Sequence, residues 1–494
     1  MRYENPILPG FHPDPTICRV GETFYLATSS FEYFPGVPLY RSENLVDWEP
    51  IGHALTRESQ LDVRNVGPSG GIFAPTLRHN DGTFYLVTTN VSGDGNFFVT
   101  AEDPAGEWSD PTYVDAPGFD PDLFFDGDGT CYFTCHDEDT ENPIRIAELD
   151  VETGELGEPK TIWTGFRDPY VEAPHIVERD GTYHLLLAEG GTHAGHMVVA
   201  ARADHPTGPY EGCPDNPVLT HWGRPRADIR AVGHADIVAD DNRNWWLVCL
   251  GIRQRGPWPR YHHLGRETFL APLSWEDGWP VVNGGEPLEA EMEASLPGER
   301  QTKPNTLEYT ETTFADGLDV EWQFRRNPDY ERYQTGAEGL RLRGGPETLD
   351  ESGSTFVGRR QTAFDCRAEL SLSFDPDNGE EAGLAVVANE RHHYQLGVIR
   401  RDGQREAVVR LRIGDATDVV GRTPVGASTD LAVVADTDDY RFRVDGDKLA
   451  SAATRYLSTE VATGFTGVFL GPYATGNGTT CETDAVIERF VYES

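Results

Sequence analysis

An aspartate held between two prolines, His12-Pro13-Asp14-Pro15, stands at the entrance of an apolar, β-rich run. Two more acids hold comparable places, Asp120 in GFDPDLFF and Glu172 in VEAPHIV, as does a histidine, His234 in GHADIV. Carboxyl groups that face one another across a pocket are the minimum apparatus for hydrolysing a glycosidic bond. One donates a proton to the leaving oxygen while another activates water or attacks carbon. A third acid can orient the donor and raise its pKa by like-charge repulsion. Phe31, Tyr33, Phe34 and Phe73, close to the same strand mouths, offer apolar walls to sugar faces. This chemistry requires residues far apart in the chain to meet, so something in the fold must bring them together.

Internal repetition supplies it. DPTICRVGETFYLAT from 14, APTLRHNDGTFYLVT from 74, DPDLFFDGDGTCYFT from 120, APHIVERDGTYHLLL from 173 and HADIVADDNRNWWLV from 234 share one pattern. Each opens with a short apolar strand, passes a polar turn that is Asp-Gly in three copies, and enters an aromatic strand, a hairpin signal repeated every 46 to 61 residues. A hairpin of this kind cannot bury both faces alone, and units repeated at this spacing are the signature of propeller blades around an axis. Five blades fit residues 1–300. The first strand of each blade lines the channel, so Asp14, Ala74, Asp120, Ala173 with its neighbour Glu172, and His234 are predicted to converge. The flanking prolines predict an extended backbone that presents Asp14 to the channel.

At these residues the chain resembles glycoside hydrolase family 43, close to its β-xylosidases. The stretches NPILPGFHPDPTICRVGETFYLATSSFEYFPG, GGIFAPTLRHNDGTFYLV, GFDPDLFFDGDG, YVEAPHIVERDGTYHLLLAEGGTHAGH, GHADIV and LGRETFLAPLSWEDGWPVV carry the resemblance in order. It implies a five-bladed propeller and inversion at the anomeric carbon. Asp14 falls on the family's general base, Asp120 on the acid that tunes and orients the donor, and Glu172 on the general acid. His234 falls beneath the sugar, where some relatives hold a divalent cation through water. No cofactor is obligatory on this reading, and Ca²⁺ beside His234 would be weak and supportive, because a lone imidazole is an unnatural partner for a hard cation. Arg266, in LGRETFL, matches a residue that binds substrate hydroxyls near the base, the simpler alternative being a surface pair with Glu267. Phe73 stands where the family's tryptophan is expected. The reading is an exo-acting, inverting enzyme that releases D-xylose from β-1,4-xylo-oligosaccharides or related pentosides. An α-L-arabinofuranosidase and a non-catalytic carbohydrate-binding protein are its rivals.

After WPVVNGGEP the sequence turns polar and acidic, a linker by composition. From 310 to 494 the hydrophobic period is two, as in CRAELSLSF and HHYQLGVIR, which predicts two packed antiparallel sheets, a jelly-roll-like β-sandwich. The resemblance implies that this second domain leans on the propeller and closes its pocket.

Net charge is −41, and only Lys160, Lys303 and Lys448 are lysines. Such a charge repels phosphate and excludes nucleic acid as a partner. The acidic excess resembles that of halophile proteins, which stay soluble where salt shortens the screening length. Residues 1–20 lack a basic segment followed by an apolar one, and no apolar run is long enough to span a bilayer. The expectation is a cytoplasmic protein without membrane contact, with assembly into homo-oligomers left open. Seven scattered cysteines, odd in number and mostly within β-like runs, predict reduced, buried thiols, and Cys131 with Cys135 is too little for zinc.

Overall fold

A computed structural model of the chain describes residues 1–138, 143–167, 170–299 and 309–494. The five aligned repeats are the inner strands of five antiparallel blades: Thr16–Val20, Thr76–Asn80, Phe119–Phe125, Val171–Arg179 and Ile229–Ala239. In blades 2 and 4 the Asp-Gly pairs make the tight turn to the next strand. Asp81 and Gly82 have φ of 47° and 81°, and Asp180 and Gly181 have 53° and 80°, the left-handed pair that matches strand twist in a two-residue hairpin.

Among the described residues no strand of one blade pairs with a strand of another, so the ring closes outside the blades. Asn5 makes the seam like a short strand: its Nδ2 donates to the Leu270 carbonyl and its Oδ1 accepts from the Leu270 amide, both at 2.9 Å. Further along, the His12 amide donates to the Arg266 carbonyl at 2.9 Å, and the Thr268 hydroxyl donates to the His12 carbonyl at 2.7 Å. The segment leading to Asp14 is therefore stitched to the last blade before it enters the first.

From Tyr309 onward the strands form two antiparallel sheets packed face to face. Alternation decides the faces. In Asp439–Val444 the residues Tyr440, Phe442 and Val444 are buried and those between are not. Part of the expected linker, residues 300–308, lies outside the described residues. One strand crosses the boundary: Tyr33–Phe34, from the first blade's loop, pairs with Gln323–Arg325 and becomes the edge of a sandwich sheet. Tyr33 and Phe34 are therefore not sugar walls. Both are buried, and the Tyr33 ring stacks on Phe469 of the sandwich at 3.9 Å.

Beneath the ring of openings lies a second ring, two residues further along each inner strand. Thr16, Thr76, Asp122, His175 and Asp236 are all buried. They tie neighbouring blades together. Asp236 accepts from the Thr16 hydroxyl and the Ile17 amide, Thr16 accepts from the Leu77 amide, Thr76 donates to the Pro121 carbonyl, and Asp122 accepts from the Ile176 amide. Two buried carboxylates need a cation, and Arg78 provides it, 2.8 Å from both Asp122 and Asp236. Arg78→Met would strand both charges in the core. The expected outcome is a loss of about 3–5 kcal/mol, read from the urea unfolding midpoint, with Arg78→Lys recovering part of it. An unchanged midpoint would show that the belt is not a structural tie.

Candidate active site

Four of the five ring openings, all but Ala74, share a backbone conformation that the sequence did not suggest. Asp14, Asp120, Ala173 and His234 have φ of 54°, 54°, 52° and 48°. The extended conformation expected at Asp14 from its prolines is therefore not adopted. Left-handed backbone at a non-glycine residue costs about 1–2 kcal/mol, so four such positions persist only because the packed ring enforces them. In blades 3, 4 and 5 the strand register shifts at this same place, between Phe119 and Asp122, Glu172 and His175, and Gly233 and Ala235. A bulge re-aims a side chain. Here it turns the opening residues toward the channel.

Asp14 is fixed from two sides. Arg266 binds it in a fork, Nη1 to Oδ1 at 2.8 Å and Nη2 to Oδ2 at 3.3 Å, while the Ser29 hydroxyl donates to Oδ2. The pairing of Arg266 with Glu267 does not occur, because Glu267 is taken by Arg253 at 2.7 Å. Arg266 also donates to the Thr192 hydroxyl at 3.2 Å, and its guanidinium lies 5.4 Å from the Phe31 ring and 5.3 Å from the Phe465 ring.

Phe465 belongs to the sandwich and is the residue that sequence reasoning left unidentified. Its amide donates to the Ser69 hydroxyl at 2.8 Å, and its ring lies 5.7 Å from Phe31 and 6.2 Å from Phe73. The loop reaches the propeller by a close backbone approach: Gly265, at φ 93°, would place a Cβ 2.9 Å from the Gly467 Cα. Phe119, next to Asp120, extends the wall at 5.8 Å from Phe73. Its place beside the acid in GFDPD was the signal that could have found it. Phe465 has no such signal.

Glu172 keeps an exposed edge, with 21% of its side chain accessible. His196, fully buried, approaches it at 3.5 Å through Nε2 while Nδ1 faces the Ala231 carbonyl at 3.3 Å. Gly233 makes room for this ring, since a Cβ there would lie 2.4 Å from it. His196 closes the quoted EGGTHAGH run, but nothing in the sequence singled it out. His234 Nδ1 lies 3.6 Å from Asp14 and 4.0 Å from Asp120, and burial holds its pKa near about 4, so the ring is neutral at pH 7.

Burial and the charges of Glu172 and Asp14 raise Asp120 well above the usual carboxylate range. Burial also pushes Glu172 upward, but its neighbours His196, His234 and Arg266 outweigh it and leave Glu172 low. The two neighbours are therefore pushed apart, Asp120 upward and Glu172 downward. Like-charge repulsion was expected to raise the donor, and it raises its neighbour. Around His234 the donors are one imidazole and carboxylates, one of them already held by Arg266. Among the described residues no group of three or more His, Cys, Asp or Glu side chains is arranged to hold a metal ion. The donor set does not make a protein cage for Ca²⁺. All seven cysteines are buried and unpaired.

A catalytic-type carboxyl cluster at the mouth of a five-bladed propeller, walled by aromatics from two domains, defines a carbohydrate-active hydrolase. Residues 3–280 match glycosyl hydrolases family 43 and residues 311–493 match the β-xylosidase C-terminal concanavalin A-like domain; the chain belongs to glycosyl hydrolases family 43. It is 41% identical to a non-reducing end α-L-arabinofuranosidase of Bacteroides ovatus, over 96% of this chain and 92% of that one. It is 36% identical to a β-xylosidase of Bacillus subtilis, over 84% and 82%. The crystal structure of a xylan β-1,4-xylosidase from Bacillus halodurans superimposes with a TM-score of 0.92 at 32% identity, covering 100% of both chains.

The raised pKa of Asp120 has a consequence for stability. A folded-state pKa above the unfolded value, about 3.9, means that the native state binds the proton more tightly. Stability from this group is complete below about pH 4 and falls as pH rises through the folded pKa. Asp120→Asn should therefore melt higher than the parent at pH 8, with the gap closing toward pH 5. A gap that widens on acidification would contradict the assignment.

Proposed function

We propose that the protein is an exo-acting, inverting glycosidase that removes D-xylosyl residues from the non-reducing ends of β-1,4-xylo-oligosaccharides. The observation that carries this reading is the fixed Asp14 carboxylate, forked by Arg266, at a pocket mouth it shares with Asp120 and Glu172. Asp14 acts as general base, orienting a water against the anomeric carbon. Glu172 donates to the leaving oxygen. As the only one of the three acids with an exposed edge, it is the one that a sugar strips of water, and desolvation then raises its pKa and lets it take the proton. Asp120 holds the proton in reserve and orients Glu172. Neutral His234 and the Arg266 fork contact sugar hydroxyls, and Phe31, Phe73 and Phe465 pack against the ring.

Removal of terminal α-L-arabinofuranosyl groups is the second reading. The 41% identical relative carries that name, and Phe73 offers a smaller stacking face than the expected tryptophan. The same three acids serve both reactions. The acidic composition suits an enzyme working at high salt.

Glu172→Ala tests the donor. Turnover of an unactivated xylobiose is expected to fall on the order of 10²-fold or more, with a smaller loss for an aryl xyloside whose leaving group needs less protonation. Equal rates for variant and parent would remove Glu172 from the mechanism. Parallel rates on aryl β-D-xyloside and aryl α-L-arabinofuranoside decide the substrate, and a much faster arabinoside reaction would replace the first reading by the second.

A further inference from the structure

Between the first blade and the sandwich lies a cavity of about 210 Å³, lined among others by His12, Tyr40, Trp48, Arg359, Arg360 and Thr362. Arg360 ends the sandwich strand Thr355–Arg360 and is only 7% exposed. Its Nε donates to the Phe11 carbonyl at 2.8 Å, Nη2 is buried without a partner, and among the described residues the guanidinium forms no ion pair. The ring faces of Phe11 and Phe469 lie 5.9 and 5.6 Å away. The titratable groups in electrostatic reach are Tyr40, Tyr33, His12 and His53, and none is a carboxylic acid. Tyr40 supplies no negative charge, because burial pushes its phenol pKa up. His12 Nδ1 faces the Pro9 carbonyl at 3.0 Å and so carries the ring proton, which leaves Nε2 to accept from the Tyr40 hydroxyl at 2.8 Å. The one acid lining the cavity, Glu321, is paired with Arg359.

A buried guanidinium without a counter-charge is costly, and this one persists in a chain of net charge −41, where carboxylates are abundant. The cavity also has room for more than water alone needs, at roughly 30 Å³ per molecule. We propose that it binds a small monovalent anion, a halide or a carboxylate, against the terminal nitrogens of Arg360. The anion supplies the missing charge. It also braces the active site, because Arg360 holds the Phe11 carbonyl in the segment Phe11-His12-Pro13-Asp14.

Melting of the full chain is compared at one fixed ionic strength in sodium chloride, sodium acetate and the sodium salt of a bulky sulfonate buffer anion. This arrangement holds the screening of surface charge constant. Chloride or acetate should raise the melting temperature by roughly 2–4 °C over the sulfonate, saturably, and Arg360→Met should abolish the difference. Chloride alone assigns a halide site and acetate alone a carboxylate site. Crystals of the parent soaked in bromide provide a readout that needs no variant: an anomalous peak beside Arg360 supports the halide. Equal melting in the three salts with no bromide peak, or a salt preference that survives in Arg360→Met, overturns the proposal.

Discussion

The fork between Arg266 and Asp14 is the interaction on which the rest of the site depends. It joins the last blade to the first at the seam where the ring closes, and it lies between Phe31 of the propeller and Phe465 of the sandwich. Its geometry is set by the backbone. The Arg266 carbonyl accepts from the His12 amide, so the strands that carry the two partners are stitched two residues from the acid. Ring closure, domain docking and the position of the carboxylate meet at this one contact.

Gathering acids on an axis creates an electrostatic problem that the structure divides between two levels. In the lower ring Arg78 pairs with both Asp122 and Asp236, so those carboxylates are structural. The upper ring has one arginine for three acids, and burial together with the charges of Glu172 and Asp14 raises Asp120 well above the usual carboxylate range. His196 favours the charged form of Glu172. Hydrolysis of a glycoside needs one carboxyl protonated and another ionised, and the opposite shifts of Asp120 and Glu172 are what the proposed mechanism draws on.

Most of the propeller was legible because its repeat is written in short apolar strands and Asp-Gly turns, whose conformations depend on local chemistry. The convergence of Asp14, Asp120, Glu172 and His234 followed from the same alignment. What escaped were features fixed by packing. The left-handed backbone at four ring openings is imposed by strand mouths crowding round an axis, and it overrides the extended preference that flanking prolines give Asp14. Tyr33 and Phe34 read as aromatics near a strand mouth, yet they serve as a sandwich strand, because a β-edge needs a partner and the propeller loop provides one. Phe465 sits in a loop with no motif, and its role exists only through docking of the sandwich. His196 matters through Gly233, a contact between residues of different blades.

The central claim is that Asp14 acts on water and does not bond to the sugar. Proton NMR of the first-formed product, recorded during hydrolysis of a β-D-xyloside faster than mutarotation, tests it directly. The account predicts α-D-xylose as the initial anomer. Initial release of the β anomer would make Asp14 a nucleophile and contradict the mechanism.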